Sequence, residues 1–183
     1  MMGLFVGLDL SLTATGIAVT DGSRQGAGCF VVRSKGSLKD TLADRALRLS
    51  ELDGSIRQII PSDAIIGIET PAYNQTSGNH HDRSGLWWLV VSALAPYHRI
   101  VEVSTTQVKK YATGKGNAGK DEVMIAAAKR YPEFDIVDNN TADAVVIAAF
   151  VSRAFGHPLE DSLPQVNISA LDKFMPQVGA ARA

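Results

Sequence analysis

The chain has a single cysteine, Cys29, in 183 residues, which excludes an internal disulfide and a cysteine-based zinc site. It lacks an excess of either charge, with 18 Lys and Arg against 19 Asp and Glu. Nucleic-acid binding by bulk attraction gains no support from that balance, although a local basic face stays open. No apolar run approaches the roughly 20 residues that span a bilayer, so no membrane partner is expected. The opening MMGLFVGLDLS has no basic n-region, and it carries Asp9 where a secretory signal would be apolar. These absences lead us to expect a soluble, cytoplasmic protein. Internal repeats and linker-like stretches are also missing. The composition, 45% hydrophobic and 20% charged, is globular, and the length suits one domain.

What is present alternates in a readable way. Residues 4–10, 15–20 and 28–33 are β-rich, with Asp21-Gly22-Ser23 as a turn signal, and predict a three-strand meander. Leu42, Leu49, Leu52 and Ile56 recur at helical spacing over 38–60. AIIGIE (64–69) predicts a buried strand ending in a carboxylate, and HRIVEV (98–103) predicts another strand. Helices are expected at 85–95, 105–111, 120–130 and 141–155, with a polar stretch at 74–83. Strands followed by strand–helix alternation imply an α/β architecture, with a mixed sheet that continues an antiparallel meander with parallel strands. The core domain is read as 1–157, and residues 158–183, rich in Pro and polar residues, as a loosely ordered tail.

Three carboxylates occupy positions where a carboxylate is costly. Asp9 lies in the first apolar strand, Glu69 ends AIIGIE, and Asp143 opens TADAVVIAAF. Each has an ordinary explanation on its own: Asp143 could serve the helix dipole, and Glu69 could cap a turn. Asp9 has the weakest one, because strands disfavour Asp. Converging on one point, the three would repel each other unless a cation neutralised them. All-oxygen ligands select hard cations, Mg²⁺ with Mn²⁺ as substitute. Two such ions per site would support in-line phosphodiester cleavage.

A basic segment follows. Lys109, Lys110, Lys115 and Lys120 fall within twelve residues, interleaved with Gly114, Gly116 and Gly119. Most Lys/Gly runs are solvated loops. Beside a carboxylate cluster, this one makes sense as a clamp on a DNA backbone, with Lys120 at a helix start that favours anions. His80-His81-Asp82 reads as a solvated or DNA-facing loop rather than a zinc site. Tyr73 could pack at a strand exit or stack on a base. Trp87 and Trp88 are neighbours on an apolar helix and project about 100° apart, which fits one inside and one at a subunit interface.

Four segments, GLDLSLTATGIAV, IIGIETPAYNQ, QVKKYATGKGNAGKDEV and NNTADAVVIAAF, run in order from residue 7 to about 155. Together they resemble the RuvC-type Holliday-junction resolvases, particularly phage-encoded ones. The Gly-x-Gly-Asn-Ala-x-Lys pattern in the third segment is the most specific. The resemblance implies an RNase H-like fold, a homodimer formed on the 85–95 helix, Mg²⁺ dependence and symmetric nicking of four-way DNA junctions. It implies a host-cytoplasm location for a phage-encoded chain. Asp9, Glu69 and Asp143 match three of the family's acidic metal ligands. Lys109 and Lys120 match its two lysines near the scissile phosphate, and Tyr73 falls close to a junction-probing aromatic. Many members place Asp or His three residues before the last Asp. Here that position is Asn140, a neutral oxygen ligand, with Asp138 as the substitute if the loop bends inward. Other readings are an RNase H-like nuclease for different branched DNA, a non-catalytic junction binder, and an actin-like or sugar-kinase-like ATP site around Asp9-x-Ser11. The last needs a second phosphate loop and a larger chain, so no nucleotide cofactor is expected.

Overall fold

The computed structural model describes residues 3–71, 80–172 and 174. Five strands, β1 (Phe5–Asp9), β2 (Ala14–Thr20), β3 (Gly28–Arg33), β4 (Ile65–Glu69) and β5 (Arg99–Val103), form one sheet in the order β3-β2-β1-β4-β5. β1 pairs antiparallel with β2, and β2 with β3; β4 runs parallel to both β1 and β5. This is the expected mixed sheet, and with its flanking helices it is an RNase H-like α/β fold.

Strand alternation distributes the core to both faces. Val6, Leu8, Ile17, Ile66 and Ile68 face one way. They pack under α1 (Leu42–Ile59) and α2 (His80–Leu94) through Leu52, Ile56, Leu86, Trp87, Val90 and Leu94. Phe5, Ala18, Val101 and Val103 belong to the opposite core. That core is closed by α3 (Thr105–Thr113), α4 (Lys120–Arg130) and α5 (Asn139–Ala154). α5 is the central helix, with every residue from Ala144 to Ser152 buried. Its start is fixed by a capping box, in which the Asp138 carboxylate accepts from the Thr141 amide and the Thr141 hydroxyl accepts from the Asp138 amide.

Two glycines let α5 lie directly on the sheet. A Cβ on Gly7 would fall 2.0 Å from the Ala144 carbonyl oxygen, and one on Gly16 would fall 2.1 Å from that of Asn140. Only a residue without a side chain allows backbone to approach backbone so closely.

Two expectations need correction. Residues 158–172 and 174 are not a loose tail: a short α6 (Gln165–Ile168) and a 3₁₀ turn (Ser169–Leu171) follow α5, and Leu159, Glu160, Asn167 and Phe174 are buried. Polar composition concealed this, because the anchor is itself polar. The Glu160 carboxylate accepts hydrogen bonds from the Tyr111 and Tyr131 hydroxyls and pairs with Arg153 at 3.0 Å. Second, α2 begins at His80, so His80-His81-Asp82 is a helical first turn rather than a loop. Asp82 is ion-paired with Arg45 of α1. Among the described residues no helix is long and apolar enough to cross a membrane.

Candidate active site

The parallel ladder sets the site. Gly7 of β1 stands opposite Gly67 of β4. A Cβ on either would run into α5, Gly7 against Ala144 and Gly67 against Ile147 and Val151. Asp9 and Glu69 each come two residues later, so strand alternation turns both toward α5 at the carboxyl ends of their strands. Asp9 therefore closes its strand instead of sitting at its centre. α5 begins at Asn139, which places Asp143 in the second turn, where the dipole of the first turn no longer accounts for it.

The electrostatics show the three acids meeting. The Asp9 carboxyl lies beside the Glu69 side chain, close enough for the two to influence each other. Burial first, then the charges of Glu69 and Asp143, hold Asp9 well above the ordinary carboxylate range. Burial and then Glu69 push Asp143 up to about 7, against the opposing pull of Lys120 and Lys109. Lys109 is half-buried on α3, and Lys120 is exposed as the first residue of α4 behind Gly119 as N-cap. Thus Asp9, Glu69, Asp143, Lys109 and Lys120 share one field.

The remaining predicted residues lie differently. Lys110 is half-buried, one position along α3 from Lys109. Lys115 is exposed and ion-paired with Glu122 at 3.1 Å. Tyr73 lies outside the described residues. The Asn140 amide nitrogen donates to the Ala14 carbonyl, which ties this side chain to the start of β2. Asp138 is a poor substitute ligand, because one oxygen caps α5 and the other pairs with Arg33 at 3.2 Å.

Two further contacts brace the site. The Trp87 indole N–H donates to the Glu69 carbonyl at 3.1 Å. Arg48 of α1 donates to the Ser34 hydroxyl and to the Leu12 carbonyl, holding the β1–β2 turn beside Asp9. No local signal in the sequence announces either contact. The glycine floor did have a signal, a Gly-x-acid triplet repeated in Gly7-Leu8-Asp9 and Gly67-Ile68-Glu69.

Among the described residues, no group of three or more His, Cys, Asp or Glu side chains stands ready-made as a metal-holding group. The donor chemistry nevertheless suits a hard cation. Carboxylate oxygens are what Mg²⁺ and Mn²⁺ prefer. Asp9 and Asp143 lie largely buried in the field of the Glu69 carboxylate, a crowding of like charge that a bound cation would offset.

No protein-family model matches the chain, and no curated protein does. The solved structures are more informative. The chain is similar to the Thermus thermophilus RuvC structure, with 16% identity and a TM-score of 0.62 over 84% of this chain and 97% of that one. It is also similar to T. thermophilus RuvC in complex with Holliday junction substrate, with 16% identity and a TM-score of 0.60 over 85% and 97%. The fold matches that of a RuvC-type resolvase.

Proposed function

We propose that this chain, folded as a RuvC-type resolvase, is a structure-specific DNA endonuclease that resolves four-way junctions by symmetric, Mg²⁺-dependent phosphodiester cleavage. The observation that carries the reading is that Asp9 and Glu69, at the ends of β1 and β4, share one field with Asp143 of α5 and with Lys109 and Lys120. Asp9, Glu69 and Asp143 would hold the cations, with the neutral oxygen of Asn140 as a fourth donor. Two bound cations would polarise the scissile phosphate and the attacking water.

The chain's own residues supply the rest. The carboxylates alone would repel a DNA backbone, and the lysines reverse that field. The charges of Lys120 and Lys109 act on Asp143, and the two lysines would bind oxygens of the reacting phosphate and stabilise charge as it develops. Lys110 and Lys115 lie farther along α3 and the following loop, where they would hold neighbouring phosphates. A junction has two scissile phosphates related by approximate two-fold symmetry, which a C₂ dimer would match. Trp88 is 64% exposed and Leu89 lies beside it on α2, so a second copy would pack there. Trp88→Glu should then give monomers in light scattering.

The test is direct. A labelled four-way junction and a matched duplex are incubated with Mg²⁺, and the nicks are mapped. Paired nicks at symmetric positions in the junction alone support the proposal, as does an Asp9→Asn variant that binds without cutting. Equal cutting of the duplex, or undiminished cutting by Asp9→Asn, would overturn it.

A further inference from the structure

We propose that Trp87 is a positioning residue for Glu69, holding the end of β4 from the face of the sheet opposite the carboxylate cluster. The inference rests on the metal-centre reading above. Glu69 is the last residue of β4. On its β5 side it is still paired, with Val103. On its β1 side the ladder closes one residue earlier, at Leu8 and Ile68. The Glu69 carbonyl takes a hydrogen bond there from a side chain, the Trp87 indole N–H at 3.1 Å.

Indole has one polar group, a donor, and in Trp87 that donor goes to Glu69. Trp87 is 7% exposed and packs in the same core as Leu86, Val90 and Ile68, so the bond, itself part-buried, is made from a side chain held in the core. The donor thus belongs to a side chain packed in the core, whereas the Glu69 side chain has three torsions to order over the cations. Groups that orient a metal ligand without touching the metal typically change its affinity by roughly 10–100-fold when lost. Trp88 closes the arrangement from outside, with its ring edge-on to that of Trp87 at 4.8 Å and 87°. The chain has no other tryptophan, so indole emission reports on this spot alone.

The experiment measures Mn²⁺ binding to the full chain without DNA, by the paramagnetic resonance of free Mn²⁺. Wild type, Trp87→Phe, Trp88→Phe and Asp9→Asn are compared. Trp87→Phe should bind about tenfold more weakly while melting cooperatively, and raised Mg²⁺ should restore its junction cleavage, which a general loosening would not allow. Trp88→Phe should stay within about twofold of wild type, since it leaves the bond intact. Wild-type Mn²⁺ affinity in Trp87→Phe, or equal weakening in Trp88→Phe, overturns the proposal. If Trp87→Phe does not fold, the Trp88→Phe variant decides with Trp87 as its sole indole. Mg²⁺ should alter its emission over the range in which binding occurs, and unchanged emission overturns the proposal. If wild type and Asp9→Asn bind Mn²⁺ alike, the metal-centre reading itself has failed, which is a separate outcome.

Discussion

Gly7 and Gly67 face each other across the β1–β4 ladder, and both turn a bare Cα toward α5. The pair sets how close the helix comes, and so how close Asp143 comes to Asp9 and Glu69. In Gly7→Ala the new methyl would meet the Ala144 carbonyl oxygen at 2.0 Å and the Ala148 nitrogen at 2.5 Å, neither of which can swing aside. We expect a loss of about 3 kcal/mol in urea unfolding, at the upper end for overpacking. Gly54 of α1 has nothing within 4 Å of its would-be Cβ. Gly54→Ala should stabilise by about 0.5–1 kcal/mol through helix propensity. Similar effects at both positions would refute the close-approach account.

The pH dependence of stability should run opposite to that of most carboxylates. Asp143 is raised from 3.8 to about 7 in the folded chain, so between those values the native state keeps a proton that the unfolded chain releases. Its stabilising contribution is complete below pH 3.8 and is lost as pH rises through about 7, at up to about 1.4 kcal/mol per pH unit. Asp9, also raised, acts in the same direction. In a chelator the melting temperature should fall from pH 5 to pH 8. Asp143→Asn should flatten the slope, and Mg²⁺ should stabilise more at pH 8 than at pH 5. A melting temperature that rises over this range would contradict the assignment.

Lys120 and Lys115 separate chemistry from attraction. Lys120→Ala should lower the single-turnover cleavage rate by roughly 10²–10³ at saturating enzyme, because the interaction strengthens as charge develops. Lys115→Ala, which removes an exposed lysine paired with Glu122, should leave that rate alone. It should weaken junction binding and reduce the salt slope by about one unit. Wild-type rate in saturated Lys120→Ala would reduce that residue to part of the clamp.

Glu160 tests whether the chain after Pro158 is structural. It is 4% exposed and holds Tyr111, Tyr131 and Arg153 together. Glu160→Ala leaves the Arg153 guanidinium without its carboxylate, and should cost about 3–5 kcal/mol in denaturant unfolding. A loss below about 1 kcal/mol would show the contact to be dispensable.

The sheet was legible because each strand is a short apolar run bounded by turn signals, and β1 to β5 fall within a residue or two of the expected bounds. α5 was legible from its alanines, yet it starts at Asn139, since Asp138 caps it through a side chain rather than through any apolar period. The acids were legible because carboxylates in apolar strands are anomalous. The sequence leaves Trp87 open as either a core or an interface residue, and its burial makes it core, so Trp87→Glu should unfold the chain instead of dissociating a dimer. Its bond to Glu69 was not legible, because it joins residues far apart in sequence through geometry that only the packed α2 creates. Glu160 was hidden for the same reason: its partners come from α3, Tyr131 and α5.

The burial of α5 also has a consequence for synthesis. β1 and β2 leave the ribosome before α5, with the glycine-floored face bare. The helix that covers this face is complete only after the whole chain from Asp21 to Ala154 has been made, on the order of ten seconds later. Until then Phe5 and Ala18 are exposed to any passing apolar surface. The nascent meander is therefore the stage at which a chaperone would be of most use, and productive folding has to wait for α5.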